Sequence, residues 1–276
     1  MTLKLRHLAL PLTLIISSLS MADTALSPSN MSDTPEICAK LTATGNSEYP
    51  PYLWRAAGGS NALLGANRII MDEIGKRLGV SIQLQDVGSW ARAQEMLKSG
   101  NIDLLAGAFY TVPRIQYMDY VYPAFLNTTS VVWKKKSTPL SFNGKNDLAG
   151  KSGTTVINNS FGQEFDQFAK EKLNIEYVAS LQQAFKMITH NRANYALYEK
   201  HPGLAYANHW GFTDQLEALE PPVSSEGLYL TISHRSKCNT GVLRGQLAKV
   251  TQELIAEGFM QKALQQGLKD WQTSKR

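Results

Sequence analysis

The sequence predicts an α/β fold of two lobes, each built on a doubly wound, mostly parallel sheet, with two chain crossings between them. Three observations predict it. Strand-like and helix-like segments alternate from residue 41 onward, the pattern of a parallel sheet covered by helices. The alternation occurs twice, and "EMLKSGNIDLLAGAF" and "KMITHNRANYALYEK" share one layout of amphipathic helix, polar turn and apolar strand. After the second set, "EPPVSSEGLYLTIS" reads as a return crossing and leaves two C-terminal helices to pack on the first set. With 276 residues, 43% of them hydrophobic, the chain suffices for one large or two modest domains.

Taken in order, Lys4, Arg6 and His7 precede an apolar run from Leu8 to Leu19, and Ser20-Met21-Ala22 supply small residues for cleavage. Residues 1–22 therefore read as a signal peptide cut near Ala22, too short in its apolar part to span a bilayer. Residues 23–35, rich in Ser, Pro, Asn and Asp, read as a flexible leader. Leu41–Thr44 is a short strand. Asn67 is expected to cap a helix carrying Ile70, Ile74 and Leu78 on one face and stopped by Gly79. A strand over 80–84, a helix from Trp90 to Ser99 ended by Gly100, and a strand over 102–106 complete the first set. In the second set a strand over 153–157 precedes Asn158-Asn159-Ser160, expected to cap a helix from Phe161 to Leu173. A strand at 175–178, a helix at 181–190 and a strand at 195–198 follow. The expected division is lobe 1 from 36–123 with 228–276, lobe 2 from 129–222, and a hinge at 124–128 and 223–227.

Charge and motifs exclude several functions. The formal net charge is +5, two of it from Lys4 and Arg6, and only Lys134-Lys135-Lys136 forms a basic run. That is too scattered for a nucleic-acid partner, and the run reads as a solvated strand end. "GKNDLAGKS" has the wrong glycine spacing for a phosphate loop and is followed by a strand. Neither G-x-S-x-G nor H-E-x-x-H occurs, and His7, His190, His201, His209 and His234 lack metal-ligand spacing, so no metal or cofactor is expected. Cys38 and Cys238 in an exported chain are either one disulfide or two buried thiols.

In open α/β sheets ligands bind beyond the carboxyl ends of the strands. Those exits hold Glu48-Tyr49-Pro50-Pro51-Tyr52, Trp90, Gly107 to Arg114, Asn158 to Gly162, and Tyr198-Glu199. Here "SEYPPYLW", "LLGANRIIMDEIGKRLGV", "SGNIDLLAGAFYTVPR", "MDYVYPAF", "DLAGKSGTTVINNSFGQEF" and "NRANYALYEKHP" stand in an order and spacing that resembles the family 3 extracellular solute-binding proteins, the periplasmic amino-acid receptors of ABC importers. The resemblance covers about residues 38–271 and implies the two-lobed periplasmic-binding-protein fold.

The resemblance also implies roles. Arg114 matches the arginine that grips a ligand carboxylate, a task suited to a planar fork of donors that stays charged; the alternative is an internal salt bridge to Asp119. Gly107 and Phe109 line the same rim. Ser160 matches a hydroxyl at a helix start, Tyr49 and Trp90 the two aromatics around the ligand, and Glu199 the partner of the ligand ammonium. Glu48, Tyr52 and Tyr198 are secondary candidates. Phe109 in place of a hydroxyl residue, Asn46 in place of aspartate and the longer Glu199 depart from the family and suit a larger or less polar ligand, or one without an α-amino group. The implied protein is a monomeric periplasmic receptor handing a small carboxylate-bearing solute to a membrane permease or sensor. The rival is an enzyme on the same scaffold, similar to cyclohexadienyl dehydratases, with Glu199 as general acid.

Overall fold

The structure is a computed structural model that describes residues 38–274; the expected signal peptide and leader lie outside the described residues. Its centre is one eight-stranded sheet. On one flank β1 (Lys40–Thr44), β5 (Ser81–Leu84) and β6 (Leu104–Ala108) run parallel, joined by α1 (Ala66–Leu78) and α2 (Trp90–Ser99). On the other flank β8 (Ser152–Val156), β9 (Asn174–Val178) and β10 (Tyr195–Glu199) run parallel, joined by α3 (Gln163–Lys172) and α4 (Leu181–Thr189). Between them lie β7 (Met118–Lys135) and β11 (Leu216–Ser233), 18 residues each and antiparallel. The order is β5-β1-β6-β11-β7-β10-β8-β9.

The long strands serve both flanks. β6 pairs with β11 through Tyr229–Ile232, whereas β10 pairs with β7 through Ser130–Trp133. The sequence suggests a link at 124–128 and a fresh strand from Leu228, but β7 and β11 run on through these positions with register shifts at Leu219/Ser224 and Leu228/Leu230. The prolines Pro221 and Pro222, read as strand breakers, fall in the first of these irregular stretches, where a missing N–H costs no ladder bond. A second, three-stranded sheet of β2 (Glu48–Tyr49), β3 (Leu53–Arg55) and β4 (Leu63–Leu64) sits before α1.

Helix ends follow local chemistry with two exceptions. Ser89 caps α2 by accepting the Arg92 N–H at 3.3 Å, and Gly79 and Gly100 end α1 and α2 at φ 67° and 81°. Asn67 is not the α1 cap; that position is Gly65, and Asn67 lies inside the first turn with its side chain turned to the sheet. α3 begins at Gln163 rather than at Phe161, because Gly162 at φ 91° interrupts the chain before it.

Helix α5 (Lys200–His209) is not among the expected elements. Pro202 falls in its first turn, where the N–H that proline lacks would have no intrahelical partner. Gly203 is required by close approach, since a Cβ there would lie 2.2 Å from the Trp133 ring. The C-terminal helices α6 (Gly241–Ala256) and α7 (Phe259–Thr273) pack on α1, burying Ile70, Ile74, Leu247 and Leu254. Among the described residues no helix is long and apolar enough to cross a membrane.

Cys38 and Cys238 are bonded, 200 residues apart, fastening the chain before β1 to the turn before α6. Replacing both with serine is expected to lower unfolding stability by about 2–5 kcal/mol, the usual worth of a native bridge closing a long loop. Urea denaturation of the variant against the oxidised protein measures this.

Candidate functional site

The exits of the parallel strands from both flanks meet at one cavity. It is lined by Tyr49, Trp90, Gly107, Phe109, Arg114 and Glu199 from the expected set, together with Asn67 and Asn159. Its volume is about 20 Å³, room for a water molecule or so.

Arg114 opens a 3-10 turn after β6 and is 5% exposed. Its Nε donates to Gln94 Oε1 at 3.3 Å, one terminal nitrogen to the Phe109 carbonyl at 3.2 Å, and the other to the Asn158 carbonyl at 3.1 Å. The guanidinium carbon stands 5.4 Å from the centre of the Trp90 ring, within cation–π range. A guanidinium has five N–H donors; these contacts use three, and the Tyr117 hydroxyl also interacts with the guanidinium. The salt bridge to Asp119 does not form; Asp119 lies 3.4 Å from Arg244 and 3.3 Å from His234. Among the described residues no carboxylate lies within ion-pair distance of Arg114.

Glu199 ends β10 and is 2% exposed, with Oε2 lacking a hydrogen-bond partner. Burial pushes its carboxyl from the ordinary 4.5 up to about 7, against the opposing pull of its own N–H, Asn159, Arg114 and Tyr49. Asn159 Nδ2 and the Tyr49 hydroxyl, likewise buried and outside normal hydrogen-bond geometry, are the two side-chain donors that pull on the Glu199 carboxyl. Burial, then the Glu199 charge, raises the Tyr49 phenol well above its usual value, and its ring stacks on Tyr52 at 5.0 Å.

Gly107 holds φ 114°, and a Cβ there would lie 3.0 Å from Asn67 Nδ2. That nitrogen donates to the Ala106 carbonyl at 2.6 Å, which leaves Asn67 Oδ1 buried without a partner. Tyr49, Asn67, Asn159 and Glu199, each with a buried polar atom outside normal hydrogen-bond geometry, thus line one cavity. Buried polar groups are almost always paired, so this cluster makes the cavity a candidate site.

Ser160 is brought near but not into this cavity. It lines an adjoining chamber of about 270 Å³ that shares Arg114 and Asn159 with the cavity. Its hydroxyl pairs with Asp166 and accepts the Gly162 N–H at 3.2 Å, while the Phe161 N–H donates to Asp166 at 2.8 Å. Asp166, in the first turn of α3, therefore holds the segment that precedes the helix, and burial raises its carboxyl. The secondary candidates also stand outside the cavity lining. Glu48 lies 3.6 Å from Arg55, with its carboxyl raised by burial against the pull of Arg55. The Tyr198 hydroxyl donates to the Glu48 carbonyl at 3.0 Å, and that of Tyr52 reaches the Asn127 carbonyl at 3.5 Å.

Sequence reasoning passed over Asn67, Asn159 and Gln94. Gln94 had a readable signal: it stands four residues after Trp90 on the buried face of α2, a polar residue where an apolar one would pack. Its amide bonds both Arg114 and, at 3.1 Å, the Asn158 carbonyl.

Residues 41–266 match the family model of the bacterial extracellular solute-binding proteins, family 3. No curated protein matches the chain. Among solved structures, an ancestral arginine-binding protein bound to arginine superposes with TM-score 0.70 at 18% identity, over 84% of this chain and 99% of that one. The amino acid ABC transporter substrate-binding protein AbpA from Streptococcus pneumoniae, bound to L-arginine, gives 0.69 at 17% identity over 84% and 96%. A histidine kinase sensor domain with similarity to periplasmic binding proteins gives 0.70 at 16% identity over 84% and 96%. With the model match spanning most of its length, the chain belongs to the family 3 bacterial extracellular solute-binding proteins.

Proposed function

We propose that the protein is exported to the periplasm and captures a small carboxylate-bearing solute, an amino acid, between two lobes. The lobes are 36–123 with 228–276, and 129–222, hinged at 124–128 and 223–227. The observation that carries this reading is the meeting of two buried, opposite charges at one cavity: Arg114, with no carboxylate of the described residues within ion-pair distance, and Glu199, whose Oε2 makes no hydrogen bond of normal geometry. The ligand carboxylate bonds the guanidinium fork and the ammonium meets Glu199, while Tyr49 and Trp90 exclude water. A cavity of about 20 Å³ admits no amino acid, since ligand sites measure about 300–1,000 Å³. The lobes must therefore part for ligand entry and close around it, and the loaded form then docks on a membrane permease or sensor.

The test is thermal unfolding of refolded, ligand-stripped protein against amino acids and small carboxylates. Ligand at 100 times its Kd adds about 2.7 kcal/mol and raises the midpoint visibly; a panel without any shift removes the reading. One observation favours a second, catalytic reading: a carboxyl raised to about 7 holds a proton near neutrality, as a general acid must. Turnover of prephenate or arogenate that disappears in Glu199→Gln would establish it; binding without turnover would dismiss it.

A further inference from the structure

We infer that the ligand is an amino acid with an uncharged side chain, and that the site rejects arginine, lysine, aspartate and glutamate. The inference rests on the amino-acid reading above and narrows it. Of the residues lining the cavity, only Arg114 and Glu199 carry charge, one of each sign. A zwitterion occupies both, its carboxylate on the Arg114 guanidinium and its ammonium on the Glu199 carboxylate. The charge balance of the site is then complete.

A charged side chain would add a third ion with no counterion. The other charged groups nearby face elsewhere. Glu48 is turned to Arg55, and Asp166 is held by Ser160 and the Phe161 N–H. Glu95 and Lys98 belong to the outer chamber. That chamber shares only Arg114 and Asn159 with the cavity lining, and Arg114 is braced there by Gln94 and the Asn158 carbonyl. An ion enclosed without a partner loses its hydration and gains no compensating Coulomb energy.

The rest of the lining suits neutral groups. Leu53, Phe109 and Leu228 are buried apolar walls. Asn67 Oδ1, without a hydrogen-bond partner, offers an acceptor, and the Asn159 amide beside Glu199 is neutral, so an amide or hydroxyl side chain can be met without charge.

The deciding experiment is calorimetric titration of the stripped, refolded protein with near-isosteric pairs: glutamine and glutamate, asparagine and aspartate, norleucine and lysine. Arg114→Ala serves as the control that binding occurs at this site. The uncharged member of at least one pair is expected to bind at least 100-fold more tightly than its charged partner, with binding lost in the control. A charged member that binds as tightly as its neutral partner, or more so, overturns the inference and leaves the amino-acid reading standing. Tight binding retained in Arg114→Ala overturns the inference by placing the ligand elsewhere. If no amino acid binds while a carboxylate lacking the amino group does, the amino-acid reading falls and the inference with it.

Discussion

Glu199→Gln stabilises the ligand-free protein by about 3 kcal/mol at pH 8 and by almost nothing near pH 4. Glu199 is raised from 4.5 to about 7 in the folded chain, chiefly by burial. A carboxyl whose folded value lies above its unfolded value binds its proton more tightly when folded. Folding is therefore undisturbed by Glu199 below about pH 4.5, and stability is lost as pH climbs from there to about 7, then levels off. A gap of two to three units corresponds to about 3 kcal/mol. Glutamine has the shape of the protonated acid and no proton to lose, so the variant lacks this slope. Urea denaturation of both proteins at pH 4, 6 and 8 measures the difference, and parallel pH profiles would mean that Glu199 is not buried alone. The same substitution removes the counterion proposed for the ammonium, so it costs affinity where it gains stability. A residue that destabilises the empty protein and serves the occupied one is the signature of a binding group rather than of core packing.

Much of this arrangement was legible in the sequence, and the gaps have physical causes. The alternating segments gave the parallel flanks because strand and helix periods differ and Gly79 and Gly100 mark the helix ends without ambiguity. The continuity of β7 and β11 was hidden, because Pro221-Pro222 speaks locally for a break while pairing with a distant strand decides the matter. Arg114 was conspicuous as a charge at the exit of an apolar strand. Asn67 and Asn159 were not, because both are good capping residues and that local reading accounts for them fully. Only the fold shows Asn67 turned beneath Gly107 and Asn159 beside Glu199. For Ser160, proximity to a helix start was legible, but the pairing of its hydroxyl with Asp166 was not.

Arg114→Ala weakens ligand binding by about 2–5 kcal/mol, roughly 30- to 5,000-fold, as removal of one member of a buried, hydrogen-bonded charge pair does. Part of this cost lies in the protein itself. The guanidinium bonds Gln94, the Phe109 carbonyl and the Asn158 carbonyl at once, so it joins the exit of β6 to the segment after β8. Loss of affinity in alanine alone would thus confound a missing carboxylate partner with a disturbed cleft. Arg114→Lys separates the two. Lysine keeps the charge but presents a point donor in place of a fork, so it cannot hold the Phe109 and Asn158 carbonyls and also offer two parallel bonds to a carboxylate. If recognition is bidentate, lysine loses at least tenfold in affinity for a carboxylate ligand but much less for the corresponding primary amide, whose single oxygen asks for less. If positive charge alone matters, lysine binds as arginine does and the fork has no role. Titration of the three proteins with one ligand and its carboxamide decides between these outcomes.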